Sequence, residues 1–447
     1  MVKVLNKSFF ISQITMSKFR QIIRVSCWAI MGLLLSWLIS CNSAPSNSNK
    51  QTIEFWTMQL KPEFTQYFNN LISDFEQQNP DIKVRWVDVP WSAMESKILT
   101  AVSAKTAPDV VNLNPNFASQ LATKNAWLQL DEKIDDQIKQ GYLQNIWQAN
   151  TINKQSFGLP WYLTTNLTIY NQKVLTEAGV KEPPKTYTEL AQAAQQIKTK
   201  TGKYALFVTF VPNDSGEVLE SLVQMGVKLV DNEGKAAFNT PQGIKAFQYW
   251  VNLYQQKLLP PEVLTQGHSY AIELYQTGET ALLTSGAEFL NNIANNTPSI
   301  AQVSVAAPQL TGETGKKSVA VMNLVIPRDT DQPEAALDFA LFVTNSTNQL
   351  AFAKAANVLP STSDAVEDYI TEIEAQTEVS NLEVARKVSA MQLKDAEVLV
   401  PAMNNLNRLQ KLIYENLQAA MLGEKTTEQA VADAAKQWND YISRIQN

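Results

Sequence analysis

Strands and helices alternate through the first folded part of the chain, and this order constrains the fold more than any other feature. Residues 52–56 and 82–89 have the pattern of strands, residues 62–78 and 92–104 that of helices, and 109–113 that of a third strand. In the first helix the apolar residues recur three and four positions apart, which predicts one buried stripe. A β-α-β-α-β order predicts a parallel sheet covered by helices, so we expect an α/β fold.

Later segments repeat this alternation over about 400 residues, which is too long for a single core. The predicted later strands are residues 167–170, 205–208, 281–283, 303–305 and 324–326. Thr186 and Thr426 have the spacing of helix-capping boxes, and Thr240 before Pro241 predicts a further helix start. The sequence therefore predicts two domains, each of the mostly parallel α/β kind.

The N-terminus has the three parts of a secretory signal. A basic segment precedes the apolar run 27–37, which is shorter than the roughly 20 residues of a membrane-spanning helix. A small residue, Ser40, stands directly before Cys41, and this resembles the bacterial lipoprotein box. The resemblance implies cleavage before Cys41 and acylation of this residue. We expect a signal peptide over 1–40 and a lipidated cysteine with a polar tether over 41–51; Met1 and Met16 both remain open as the start.

The charge balance excludes one class of partner. The chain has 37 basic and 43 acidic residues, and removing residues 1–40 leaves a net charge of −11. An acidic protein repels nucleic acid and anionic lipid, so we expect neither as a partner. Contact with a membrane is expected only through the lipid on Cys41.

Cysteine and histidine are too scarce for most catalytic and metal chemistry. Cys27 lies in the predicted signal, Cys41 is the proposed acylation site, and the chain has no other cysteine. His268 is the single histidine, and its polar surroundings favour a solvated position in a loop or at a helix start. A disulfide framework, a cysteine nucleophile and a zinc site with two histidines are excluded. We expect no cofactor and no metal.

Polar and aromatic residues follow several predicted strands at the point where each strand ends. In open α/β sheets, ligands bind beyond the carboxyl ends of the strands. Aromatic rings pack on the C–H faces of sugars, while amides and carboxylates bind hydroxyl groups. The resulting candidate ligand-binding residues are Trp56, Thr57, Gln59, Asp88, Trp91, Asn112, Asn114 and Thr209.

Arginine is absent from this candidate set, although arginine forks favour phosphate and carboxylate recognition. The set therefore favours a neutral sugar or polyol. Lys61 and helix N-termini leave binding of an anion open.

Four groups of segments, in chain order, carry a family resemblance. They are residues 75–84 with 107–111; 158–162 with 170–173, 178–179 and 184–187; 325–327 with 335–340 and 357–360; and 423–426 with 429–430. Together they resemble the carbohydrate-binding family of ABC-importer solute-binding proteins that includes maltose-binding protein. The resemblance runs from about Thr52 to the C-terminus.

The resemblance implies two lobes joined by hinge strands, with the ligand in the cleft between them. Lobe one is expected at 52–162 plus 307–345 and lobe two at 166–303 plus 350–447, with crossings near 161–166, 303–308 and 344–349. It also implies further ligand-binding residues, namely Trp161, Tyr162, Ser285, Glu288, Phe289, Asn323 and Asn404. Family members often carry Gly-Pro-Trp where this chain has residues 285–289, so the identity of the sugar stays open.

The expected function is capture of a neutral sugar, oligosaccharide or glycosylated polyol, without enzymatic activity. The protein is expected to be a monomer, anchored by lipid in the cell envelope, that delivers its ligand to ABC permease subunits. An envelope glycoside hydrolase that uses Asp88 and Glu288, and a ligand sensor on the same fold, remain alternatives.

Overall fold

Two separate β-sheets organise the chain, each within its own lobe. The computed structural model describes residues 50–122, 124–152, 155–212, 214–376, 380–400 and 403–446. The predicted signal and Cys41 lie outside the described residues. Within the described residues, no helix combines the length and the apolar character needed to cross a bilayer.

The described residues contain twelve strands, which form the two lobe sheets and one two-stranded sheet. They are β1 Gln51–Met58, β2 Ile82–Val89, β3 Val110–Leu113, β4 Thr151–Ile152, β5 Gln155–Ser156, β6 Leu159–Thr165, β7 Leu167–Asn171, β8 Leu282–Ser285, β9 Ser304–Pro308, β10 Lys317–Val325, β11 Leu359–Pro360 and β12 Ala396–Glu397. The first sheet has the order β11-β6-β10-β3-β1-β2, with β12 beside β10, and the second has the order β8-β7-β9.

The helices of the described residues cover these sheets and fill the chain between strands. They are Thr65–Gln78, Trp91–Ser103, Pro115–Ala122, Asp136–Gly141, Gln144–Ala149, Gln172–Ala178, Tyr187–Thr201, Glu217–Gln224, Pro241–Gln255, His268–Gln276, Phe289–Asn296, Pro298–Ala301, Pro333–Val343, Ser346–Ala356, Ser363–Glu374, Asn381–Met391, Leu406–Met421 and Thr427–Gln446. Short 3₁₀ turns occupy Pro261–Leu264 and Gln392–Asp395.

The first lobe confirms the predicted parallel start. β1 pairs in parallel with β2 and β3, while β10 runs antiparallel beside β3. Side chains alternate along β1, so Phe55 enters an aromatic core where its ring centre lies 5.2 Å from that of Phe339. The predicted helix stripe also buries Phe68 and Phe75 in this core.

The second lobe has a smaller sheet and a larger share of helices. β7 lies between β8 and β9 and is antiparallel to both, so the prediction of a mostly parallel sheet is wrong for this lobe. The prediction of a strand at 205–208 is wrong. The pairing of this segment with the chain before β8 is limited to one isolated bridge, between Tyr204 and Thr280. Residues 205–208 are nevertheless buried in the second core, which explains their apolar pattern. The capping boxes at Thr186 and Thr426 are confirmed as helix starts.

The chain passes between the lobes at positions that differ in part from those expected. Asn166 joins β6 of the first sheet to β7 of the second, as predicted. β9 stays in the second sheet to Pro308, so the second crossing spans 309–316 and not 303–308.

The expected crossing at 344–349 is absent from the structure. The helix Ser346–Ala356 buries Phe352 in the first core, and β11 extends the first sheet. β12 also pairs with β10, while the helix Leu406–Met421 packs in the second core. Before β12, however, the helix Asn381–Met391 buries Ala385 in the second core, and the Asn381 amide donates to the Ser304 carbonyl on β9 at 3.0 Å. The chain therefore contacts both lobes between Asn381 and Glu397, and the boundary predicted at residue 350 lies too early.

One buried side chain ties two of the crossings together. The Gln392 amide donates hydrogen bonds to the Thr165 hydroxyl at 2.7 Å and to the Asn166 carbonyl at 2.8 Å. Its oxygen accepts from the backbone N–H of Gln309 at 3.2 Å. Because the Gln309 side chain in turn accepts from the Ser318 backbone N–H, the first and second crossings are held by one continuous network.

Candidate functional site

Asp88 organises the loop that follows β1 at the edge of the first sheet. Its Oδ1 accepts hydrogen bonds from the Thr57 hydroxyl at 2.6 Å and from the Leu60 backbone N–H at 2.8 Å. Its Oδ2 accepts from the Lys61 backbone N–H at 3.0 Å. Three donors therefore hold this carboxylate, and its role is to shape the loop beside the cleft.

Trp91 and Gln59 are the predicted first-lobe residues that remain open to a ligand. Trp91 begins the helix after β2, and its side chain is 43% exposed. Gln59 follows β1 in the left-handed conformation with φ of 54°, and its side-chain oxygen accepts from the Trp91 backbone N–H at 3.4 Å. The ends of β1 and β2 thus present an aromatic ring and an amide together.

Two predicted tryptophans have packing roles in place of the predicted ligand contact. Trp161 is 0% exposed and stacks on Phe352 with ring centres 5.0 Å apart. Trp56 is buried on the face of β1 opposite to that of Phe55, with the Lys97 ammonium 4.0 Å from its ring centre. Tyr162 is also buried, and its hydroxyl pKa is raised by burial and by the nearby Asp88 carboxylate.

The predicted asparagines serve the interior of the first lobe. Asn112 and Asn323 are fully buried on neighbouring strands, and the Asn112 amide donates to the Asn323 carbonyl at 3.4 Å. Asn150 donates to the Asn323 side chain. Asn114 accepts from the Phe117 backbone N–H at 3.0 Å at the start of a helix. These contacts assign the three predicted asparagines to strand and helix-start geometry.

The predicted residues of the second lobe divide between buried and accessible positions. Thr209 is buried and donates to the Gln266 carbonyl at 2.8 Å, and Ser285 is buried at the end of β8. Glu288 and Phe289 are half-buried at the start of a helix, and burial raises the Glu288 pKa. Asn404 is exposed in the turn before the helix Leu406–Met421.

A polar cavity of about 230 Å³ lies at the junction of the lobes. We call it the hinge cavity; its lining residues are Asn166, Asp214, Ser215, Gly216, Glu217, Glu220, His268 and Thr284. Asn166 belongs to the first crossing, and the Glu220 carboxyl hydrogen-bonds to Ser318 on β10 of the first sheet. The cavity therefore lies next to the first crossing and is linked by a hydrogen bond to the first sheet.

Burial without a compensating cation controls the electrostatics of the hinge cavity. Burial raises the pKa of Glu217 to about 8, although its hydrogen bond with Thr284 opposes this change and Glu220 adds to it. Burial also raises the pKa of Glu220 and lowers that of His268. Near neutral pH, Glu217 is therefore mostly protonated and can donate a hydrogen bond.

The backbone around Asp214 brings its carboxylate close to His268. The Asp214 Oδ1 accepts from the His268 backbone N–H at 2.7 Å. A Cβ atom added at Gly267 would lie 2.3 Å from the Asp214 Oδ2, so glycine permits this approach. The His268 Nδ1 is buried without a hydrogen-bond partner and lies 3.9 Å from the Glu217 Oε2.

The site predicted from the sequence lacks Asp214, Glu217 and Glu220. His268 was predicted in a loop or at a helix start, and it begins the helix His268–Gln276. The sequence carries one signal for the missed residues, because a polar, glycine-containing stretch follows Thr209 and leads into the helix Glu217–Gln224. This stretch contains Asp214, and Glu217 is the first residue of the helix.

A larger groove lies on the second lobe, lined in part by Tyr187, Gln242, Tyr249, Asn252 and Glu313, with a volume of about 640 Å³. Its walls come from helices of the second lobe and from the second crossing. Among the described residues, no group of three or more His, Cys, Asp or Glu side chains is placed to hold a metal ion.

The two lobes, the crossings and the polar junction define a two-lobe solute-binding protein. The family model for bacterial extracellular solute-binding proteins matches residues 61–350, and the chain belongs to that family. This result confirms the α/β two-lobe fold predicted from the sequence.

Similar proteins include structures and characterised sugar binders. A crystal structure of a proposed oligosaccharide periplasmic-binding protein from Synechococcus sp. MITs9220 is 45% identical, with a TM-score of 0.82 over 88% of this chain and 99% of that chain. A second structure of that protein is a complex with zinc. The diacetylchitobiose binding protein DasA of Streptomyces coelicolor is 23% identical over 92% of this chain and 96% of its own length. The arabinooligosaccharide-binding protein of Bacillus subtilis is 22% identical over 72% of this chain and 76% of its own length.

Proposed function

We propose that this protein is the substrate-binding component of an ABC importer and captures a neutral carbohydrate between its lobes. The ligand is a sugar, an oligosaccharide or a glycosylated polyol. Similar proteins that bind diacetylchitobiose and arabinooligosaccharides support the carbohydrate class. The family supports export and partnership with a permease, and the characterised relatives are binding proteins rather than enzymes.

One observation carries the proposal, namely that each lobe presents side chains suited to a different part of a sugar. The first lobe contributes the exposed Trp91 ring and the Gln59 amide. The second contributes the hinge cavity with Glu217 and His268. A sugar has both weakly apolar C–H faces and hydroxyl groups, so it can contact both lobes at once. Such a ligand favours the closed arrangement because it gains contacts on both sides.

Attachment to a membrane through Cys41 completes the proposal. The proposed polar tether, which ends where β1 begins at Gln51, would leave the lobes free to move while holding the protein beside its permease. Tethering raises the effective concentration of a receptor at its partner. The anchored protein is proposed to act as a monomer in the cell envelope.

A thermal-shift screen followed by calorimetry tests the carbohydrate ligand. The panel comprises maltotriose, arabinotriose, N,N′-diacetylchitobiose and glucosylglycerol. A binder should stabilise the protein by about 2.7 kcal/mol at a hundredfold excess over its Kd. Trp91→Ala should raise the Kd for that binder about tenfold, because stacking on an aromatic ring contributes on the order of 1–1.5 kcal/mol.

The matched control is Leu422→Ala, which truncates another apolar side chain that is 56% exposed but belongs to the second lobe. This variant should keep the wild-type Kd. An unchanged Kd in Trp91→Ala would remove Trp91 from the site, while the absence of any binder among the four sugars would count against the proposed ligand class.

A further inference from the structure

We infer that the hinge cavity receives hydroxyl groups of an uncharged sugar unit, and that Glu217 and Glu220 exclude anionic sugars from it. This inference rests on the proposed function and deepens it by naming the side chains that select an uncharged ligand. It bears on the question, left open by the sequence, of whether a phosphate-bearing or carboxylate-bearing sugar could bind.

Three carboxyl groups line the cavity, those of Asp214, Glu217 and Glu220, and among the described residues no lysine or arginine lines it. Lys316 at the end of the second crossing and Lys317 at the start of β10 are engaged elsewhere, since Lys316 pairs with Glu397 at 2.6 Å and Lys317 with Asp395 at 3.1 Å. An anion placed here would be repelled by each carboxyl group that is ionised, more strongly than in water because the site is partly desolvated. Since Glu217 is mostly protonated near neutral pH, this repulsion should grow as pH rises.

The geometry also limits how these carboxylates could avoid an anion. Glu217 and Glu220 lie one helical turn apart on the same helix, so both face the cavity. Their side chains are hydrogen-bonded to Thr284 and Ser318, respectively. Asp214 is held by the His268 backbone N–H. None of these carboxyl groups can turn away without losing a hydrogen bond.

Uncharged hydroxyl groups suit the same surroundings. A hydroxyl both donates and accepts, so it can bind the ionised or the protonated form of Glu217. The buried and unpartnered Nδ1 of His268 offers a further polar atom. The same cavity that repels an anion therefore accepts a polyhydroxy ligand.

Glu217 provides a pH signature for this selectivity. Its pKa of about 8 means that it gains negative charge between pH 6.5 and pH 9. The groups that face it are Glu220 on its own helix, Asp214 on the preceding loop, His268 on the helix His268–Gln276, and Tyr187 and Tyr414 on two further helices. Burial lowers the His268 pKa and raises those of both tyrosines, so these three remain mostly neutral over this range.

The experiment uses pairs of ligands that differ only in charge. Each reducing sugar that binds is compared as its alditol against its aldonate, which places the charge at the reducing end. Every binder is also compared as its glucoside against its glucuronide, which places the charge at the other end. Calorimetry at pH 6.5 and pH 9 gives the anionic-to-neutral ratio of Kd for each pair. For at least one of the two charge positions, we expect the Kd of the anionic form at pH 6.5 to exceed that of the neutral form more than tenfold. At pH 9 this ratio should be about tenfold larger again.

Glu217→Gln should still bind the neutral ligands, and its anionic-to-neutral ratio of Kd should not rise further at pH 9. Glu273→Gln, which makes the same change at an exposed position on the helix His268–Gln276, should behave as wild type. If Glu217→Gln does not fold, Glu220→Gln should lower the ratio at both pH values. Equal Kd values for anionic and neutral partners at both ends overturn this inference alone. Failure of every neutral parent sugar to bind overturns the proposed function, and the inference with it.

Discussion

Trp161→Ala should lower the free energy of unfolding by about 3–5 kcal/mol, the cost of deleting a buried aromatic side chain. Trp161 is 0% exposed and lies at the centre of the first core. Its ring contacts those of Phe55, Phe68 and Phe352, with ring-centre distances of 6.2, 5.9 and 5.0 Å. Alanine would leave a cavity between β6 and the helices that carry Phe68 and Phe352.

Urea unfolding of Trp161→Ala beside Trp91→Ala measures this effect. The same substitution at the exposed Trp91 should change the free energy of unfolding by no more than about 0.5 kcal/mol. Trp161→Phe should lose less than Trp161→Ala, because it keeps a ring and removes the buried indole N–H that has no partner. Equal losses at Trp91 and Trp161 would contradict the assignment of one residue to the site and the other to the core.

Glu217→Gln should flatten the dependence of stability on pH. In the folded protein the pKa of Glu217 is about 8, against an ordinary value of 4.5. Between these values the folded state keeps a proton that the unfolded state releases, so the stability that this group contributes falls as pH rises. The expected loss is roughly 1.4 kcal/mol per pH unit within that window, and it ends above the folded pKa.

Chemical unfolding at pH 5, 6.5, 8 and 9 tests this sign and size. The free energy of unfolding of Glu217→Gln minus that of wild type should increase from pH 5 to pH 8 and then level off. Glu273→Gln is the matched control, and its difference from wild type should not vary in this way. A constant difference between Glu217→Gln and wild type would show that Glu217 titrates at its ordinary pKa.

The sequence predicted the first lobe well because its signals are local. Alternating strands and the apolar stripe that contains Phe68 and Phe75 determine which faces are buried, and the structure confirms them. Residues 205–208 have the same apolar pattern but pair with a neighbour only at Tyr204, since pairing depends on distant chain. The third crossing was misplaced for a similar reason. Nothing local in the helix that carries Phe352 reveals which lobe covers it.

The site was less predictable because burial is a property of the whole fold. Trp161 and Trp91 both follow the pattern expected for a cleft, yet one lies in the core and the other at the surface. The hinge cavity brings together Asn166, Glu217 and His268, which are separated by about 50 residues or more along the chain. No spacing motif connects such residues, so their proximity emerges only from the three-dimensional structure.

A crystal structure of the complex with the tightest-binding sugar of the panel tests the central claim most directly. The sugar is expected to lie between the lobes, in contact with the Trp91 ring of the first lobe and with Glu217 in the hinge cavity. A sugar bound in the groove beside Tyr187 and Tyr249, or on one lobe alone, would contradict it.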